Sequence, residues 1–206
     1  MAKGAPTRAR TTARIMDAAE GLFAENGFHA TSIEDICRGA GVSRSAFYAN
    51  FPNKDEVFLG LFDRHAINLV SEIERGAQEV KSLEGVVAVT LEVLSEQGAD
   101  ERQWALLSTE FSIYAARNAA AAAALNERDR ALRSQLRDIL GRMGSDLSDS
   151  EVTLLVRGAI ALYEGALLQS MVEGADDLPV LLLAQFARFA ADKVFTAESE
   201  ASDVLR

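Results

Sequence analysis

The apolar positions of the chain recur every three to four residues almost from end to end, the period of amphipathic helices rather than the alternation of half-buried strands. Ile15, Ala18, Ala19, Leu22 and Phe23 form one stripe, predicting a helix over 10–26 that Gly27 stops. A short helix follows with Ile33, Ile36 and Cys37 as its inner face; Thr31 and Glu34 have the spacing of a capping box at its start. Gly39 and Gly41 break that run, and Gly41 can supply the positive φ of a tight turn. Ser43 caps the next helix, where Phe47 and Phe51 point inward and Ser45 and Ala49 point outward, with Ala46 and Tyr48 on the flanks. Asn53 and Glu56 open a long helix towards Val80.

Later helices are expected at Leu83–Glu96, closed by Gly98, at Glu101–Arg117, at Asn118–Met143 and from Ser148 to Glu173, with a last one after Pro179. The last two are apolar nearly all round and so need cover on more than one face. Association of two copies through these helices meets that need, with Leu155, Gly158, Leu162, Gly165, Leu182, Phe186 and Phe189 as the expected interface.

The fold class expected is therefore all-α. A basic arm is expected over 1–9, a helix-turn-helix DNA-binding domain over 10–54 with its reader at 32–51, a helical dimerisation domain over 55–196, and a frayed tail over 197–206. A net charge of −10 argues at first against a nucleic-acid partner, but its distribution reverses that inference. Through Lys54 seven basic residues (Lys3, Arg8, Arg10, Arg14, Arg38, Arg44, Lys54) stand against five acids (Asp17, Glu20, Glu25, Glu34, Asp35). The acidic excess thus lies wholly beyond the reader, where it limits indiscriminate adhesion to phosphate.

The residues Ile15-Met16-Asp17, Ala18-Ala19, Leu22-Phe23, Gly27-Phe28, Ala30-Thr31, Gly41-Val42-Ser43, Phe47-Tyr48, Phe51 and Lys54-Asp55-Glu56 together resemble the TetR family of tetracycline-repressor-like bacterial transcriptional regulators. The resemblance spans roughly residues 8–65; beyond it only length and helical layout are similar. It implies that Tyr48 and Lys54 contact phosphate, that Thr31 or Ser32 meets the DNA backbone, that the C-terminal domain holds an effector cavity, and that repression is the default. Ser45 stands where the family often has glycine and Asn50 where a histidine is common, so base preference does not carry over.

From the residues themselves, Arg44 is the long donor at the front of the reading helix, able to take guanine O6 and N7 or to bind phosphate. Ser43, Ser45, Ala46 and Asn50 complete the expected DNA-facing set, and Arg8 and Arg10 extend it into the arm. Trp104, Leu107, Phe111 and Tyr114 share a helical face that either lines a cavity, with Glu110 as polar anchor, or fills the core; Phe62, His65 and Tyr163 are the other candidate pocket residues. His65 reads as a packing residue or a switch, and Cys37 as a small buried hydrophobe.

One cysteine and two histidines form no ligand cluster, so neither metal nor cofactor is expected, and no nucleophile–base pair suggests an enzyme. The N-terminus lacks the apolar stretch of a signal peptide, and Arg157, Glu164 and Arg188 interrupt the most apolar helices. A cytoplasmic homodimer is expected, without membrane contact, with double-stranded DNA carrying an inverted-repeat operator and a small, largely apolar effector as partners. Two rivals remain at this stage: an activator of the same fold, and a helical interaction protein without an effector.

Overall fold

A computed structural model describes residues 5–80, 82–96, 98–141 and 148–203. The described residues form helices α1 (Ala5–Asn26), α2 (Ile33–Ala40), α3 (Arg44–Tyr48), α4 (Lys54–Gly76), α5 (Leu83–Glu96), α6 (Gly98–Ala115), α7 (Ala119–Gly141), α8 (Asp149–Glu173) and α9 (Leu178–Asp203). The all-α expectation holds. The chain divides into two compact units, residues 1–67 with 106–129, and residues 68–105 with 130–206. The first is larger than the 10–54 segment expected for DNA reading, because it takes in the start of α4, the end of α6 and the start of α7.

The first unit is built around aromatic rings. Phe23, Phe28, Phe47, Phe58 and Phe111 are each almost wholly buried, together with Ile15, Ile36, Leu59 and Leu61. Phe58 of α4 and Phe111 of α6 stack with centroids 3.9 Å apart, and Phe28 meets Phe111 edge-on at 5.1 Å. Each buried phenyl contributes about 1.5–3 kcal/mol, with a further gain from stacked and edge-on geometry. Around this core, Arg64 of α4 joins Asp17 and Glu20 of α1 at 2.7 and 2.8 Å, while Arg128 of α7 lies 3.4 Å from Glu56 and 3.6 Å from Asp63.

Two local details differ from the sequence reading. The cap of α2 is Ser32, not Thr31: the Ser32 hydroxyl accepts from the Asp35 amide, and the Asp35 carboxylate accepts from the Ser32 amide. Thr31 is 2% exposed, and its hydroxyl donates to the carbonyls of Leu22 and Gly27. Helix α1 also begins at Ala5, so residues 5–9 of the expected arm are helical. Pro6 falls in the first turn, where an amide would have no partner within the helix; residues 1–4 lie outside the described residues.

In the second unit Val70, Ile73, Ala77, Val86 and Ile139 form a core that Leu69, Val80, Val93, Leu132, Leu136 and Leu140 flank. Helix α8 runs from a capping box, Ser148 with Glu151, to a left-handed Gly174 at φ 70°, and packs along α9. A Cβ at Gly158 would lie 3.0 Å from the Phe186 ring, so this glycine permits close approach of α8 and α9 within one chain. Helix α9 continues to Asp203, past residue 196 where fraying was expected. Gly98 is the first residue of α6 rather than the stop of α5.

Gly41 ends α2 at φ 60°, ψ 42° and sends the chain into α3. A side chain there would meet both the left-handed penalty and the Arg14 Nη2 atom 2.8 Å from its Cβ. Gly41→Ala is expected to destabilise the protein by about 1–2 kcal/mol, read from the shift in urea midpoint.

Candidate nucleic-acid interface

Helix α3 is five residues long, and its orientation depends on what holds its two ends. At the start, Ser43 accepts from the Ala46 amide at 3.1 Å, and its hydroxyl lies 2.9 Å from that of Ser45. Phe47, fully buried, fixes the inner side. At the end, Arg8 of α1 donates to the Ala49 carbonyl at 3.2 Å, and Asn50 donates to the Ala46 carbonyl at 2.7 Å while accepting from Thr12 at 3.0 Å. Arg14 of α1 donates to the Ala40 and Gly41 carbonyls, tying down the turn between α2 and α3. The outward face is left to Arg44, Ser45, Tyr48 and Ala49, all exposed, with Ala46 half-buried beside them.

Arg44 does not point freely outward. One guanidinium nitrogen forms an ion pair with Glu34 of α2, a second lies 3.5 Å from the Tyr48 hydroxyl, and the group sits 5.9 Å from the centre of the Tyr48 ring. The hydrogen bond to Tyr48 and the charge of Glu34 push its pKa up, so it is a permanent cation. Tyr48 itself is 47% exposed, an unusual position for an aromatic ring without an external partner.

Lys54 is placed differently from the expectation. Its ammonium donates to the carbonyls of Phe28 at 2.5 Å and Thr31 at 2.8 Å, lies 3.5 Å from that of His29, and rests 4.4 Å from the centre of the Phe28 ring. Burial pulls its pKa down, against the opposing charges of Asp55 and Glu110. An ammonium has three N–H donors, and here they serve the turn between α1 and α2. The same turn is held from the other side by Glu110, whose two carboxylate oxygens accept from the amides of Phe28 at 2.7 Å and His29 at 2.9 Å. A Cβ at Gly27, where φ is 81°, would lie 2.9 Å from that carboxylate.

Of the expected DNA-facing residues, then, Arg44, Ser45 and Tyr48 form one exposed patch with Ser43 at its edge, and Arg10 is exposed on α1. Thr31, Ser32, Asn50, Lys54 and Arg8 are engaged in holding the reader in shape. Sequence reasoning gave Arg14 no role and gave Glu34 and Glu110 other ones, Glu110 that of a pocket anchor. Glu110 lies 82 positions from Phe28, and no local pattern announces such a contact; Glu34 was read as a capping residue.

The candidate pocket residues are divided between the two units. Phe62, His65, Leu107, Glu110, Phe111 and Tyr114 fall in the first unit, and Trp104 and Tyr163 in the second. Phe111 is fully buried among rings, and the Tyr114 hydroxyl donates to Asp55 at 3.0 Å and accepts from Asn118 at 2.8 Å. Glu110, the expected polar anchor, is used by the turn. In the second unit the Tyr163 phenol is pushed well above its ordinary pKa by burial and then by the charge of Glu101, which is itself 8% exposed. Cys37 is buried, and burial raises its thiol pKa, the setting of an inert thiol.

A short α3 projecting its polar side beyond α2, after a left-handed glycine turn and on a supporting α1, defines a helix-turn-helix protein. Residues 15–61 match the family model for bacterial regulatory proteins of the tetR family. It is similar to the HTH-type transcriptional activator FasR of Mycolicibacterium smegmatis, with 36% identity over 62 residues, 30% of this chain and 28% of that protein. It is also similar to the fatty acid metabolism regulator protein of Bacillus subtilis, with 28% identity over 78 residues, 38% of this chain and 40% of that protein. These matches thus span well under half the length of either relative.

Over the whole fold it is similar to the structure of Thermus thermophilus FadR, described as a TetR-family transcriptional repressor in complex with lauroyl-CoA. That similarity has a TM-score of 0.66 at 24% identity and covers 87% of this chain and 93% of the other.

The Lys54 contacts make it a structural residue of the turn. Lys54→Met, which keeps the stem and removes the ammonium, is expected to cost about 1–3 kcal/mol in urea denaturation. The cap of α2 carries a pH signature. Hydrogen bonds from the Ser32 hydroxyl and amide hold the Asp35 carboxyl below its ordinary value of 3.8. A carboxyl depressed in the folded state adds stability that is present above the unfolded pKa and lost as pH falls through the folded one. Ser32→Ala is expected to raise the Asp35 pKa and to shrink that acid-side loss, checked by carboxyl NMR titration and by melts below about pH 4.

Proposed function

We propose that the protein is a DNA-binding transcriptional regulator, acting as a homodimer on an inverted-repeat operator and released by a small, largely apolar effector. The observation that carries this reading is the exposed Arg44–Ser45–Tyr48 face on a helix whose both ends are tied to its neighbours. Burial does not account for Tyr48, and close approach to a base-pair edge needs the small Ser45, Ala46 and Ala49 between the longer side chains. Binding rather than catalysis is the action proposed, in the cytoplasm; no described helix is long and apolar enough to cross a membrane.

Dimerisation is assigned to α8 and α9. Leu154 and Val172 on α8 and Leu181 and Phe189 on α9 are exposed, with Leu155, Leu162, Leu182 and Phe186 half-buried and Gly165 open. Pairing of two copies there would cover them and set two reading helices about 34 Å apart or somewhat further. The effector is assigned to the second unit, near Trp104 and Tyr163. An apolar chain is supported by the names of the Bacillus subtilis relative and of the lauroyl-CoA complex. Repression is the principal reading; the name of the FasR relative supports activation as the second.

Selection from a random duplex pool tests the function directly. The purified protein is expected to enrich an inverted repeat at near-physiological salt, and failure to enrich any sequence would refute the reading. Arg44→Ala is expected to relax the preference at one base pair per half-site by roughly 5–150-fold, whereas Tyr48→Phe weakens all sequences alike.

A further inference from the structure

Glu34 is an anomaly for a surface that meets phosphate. It lies on α2 beside the reading helix, its side chain is half exposed, and a carboxylate there is repelled by DNA. Its partner Arg44 is also exposed, so the pair contributes little to folding. Nor is Glu34 spent on the cap of α2, which Ser32 and Asp35 supply. What Glu34 does, on this geometry, is hold a guanidinium: its carboxylate engages one nitrogen of Arg44, and Tyr48 lies against another at 3.5 Å. Arg44 is thereby oriented from both sides.

We propose that Glu34 is the residue that makes Arg44 a base reader rather than a phosphate contact. The proposal rests on the DNA-reading function above. A guanidinium carries five N–H donors, so a carboxylate on one edge leaves others for the O6 and N7 of guanine. The pair as a whole is neutral, so its attraction to phosphate, which is long-ranged and blind to sequence, is largely cancelled. The short-ranged hydrogen-bond pattern is kept. Glu34 thus lowers affinity for every sequence while sharpening the choice at one position. It is a positioning and specificity residue, acting through Arg44.

The test compares wild type, Glu34→Gln, Arg44→Ala and the double variant in the same random-pool selection, with salt titrations on the selected site and on random duplex. Glutamine keeps an acceptor for Arg44 and removes the charge, and unchanged urea midpoints verify that folding is intact. Glu34→Gln is expected to raise affinity for random duplex several-fold and to steepen the slope of log K against log salt by about 0.9 per half-site. It is also expected to flatten the base preference at one position of each half-site and leave the others alone. In the Arg44→Ala background these effects should largely vanish, since the two residues act as one unit.

An unchanged base distribution in Glu34→Gln would overturn the proposal. So would an equal gain in affinity in both backgrounds, which would reduce Glu34 to a general repulsive charge. Failure of the wild type to enrich any repeat would instead remove the DNA-reading function itself, and the proposal with it.

Discussion

The polar backbone of the turn from Gly27 to Thr31 is the constraint on which the first unit depends. This turn joins α1 to α2 directly over the buried Phe28 ring, and its amides and carbonyls would be costly to leave unmatched there. Glu110 takes the amides and Lys54 the carbonyls, so one carboxylate and one ammonium from distant parts of the chain complete a segment that has no regular structure of its own. Gly27 is required because its left-handed backbone and the nearness of Glu110 both exclude a side chain. The position of α2, and through the Gly41 turn that of α3, follows from this closure.

Around that turn the charged residues divide between two tasks. Arg8, Arg14 and Lys54 direct their donors at backbone carbonyls, and Arg64 and Arg128 at acids of the same unit, so much of the positive charge of this region shapes the protein. Arg44 of the reading helix is paired instead with Glu34 of α2, and both side chains are half or more exposed. Positive charge in this unit is therefore a poor guide to an outward-facing role; the partner of each cation is the better one.

Helix periods, the glycine stops at Gly27 and Gly41, and the serine cap at Ser43 were legible because each depends on residues a few positions apart. The cap of α2 was misread by one residue. Thr31-x-x-Glu34 and Ser32-x-x-Asp35 are adjacent versions of one pattern, and what separates them is the capture of the Thr31 hydroxyl by carbonyls of α1 and its turn. The exposed face of α3 was legible from the Phe47 and Phe51 spacing. The use of Glu110 and Lys54 was not, because it is decided by contacts across 82 and 26 positions. The aromatic stripe of α6 shows the same limit, since rings spaced to line a cavity are spaced equally well to fill a core, as Phe111 does.

The closure of the turn by Glu110 also bears on how such a protein can be taken apart. The unit that presents α3 is discontinuous in sequence, because residues 106–129 belong to it although residues 68–105 do not. A cut after α3 or within α4 would strip Phe111 from the rings of Phe28 and Phe58, and Glu110 from the amides of the turn. The reader is therefore not a portable cassette: a chimera that grafts residues 1–67 onto another body inherits a solvent-exposed aromatic surface unless the new host supplies both a ring and a carboxylate at the same place.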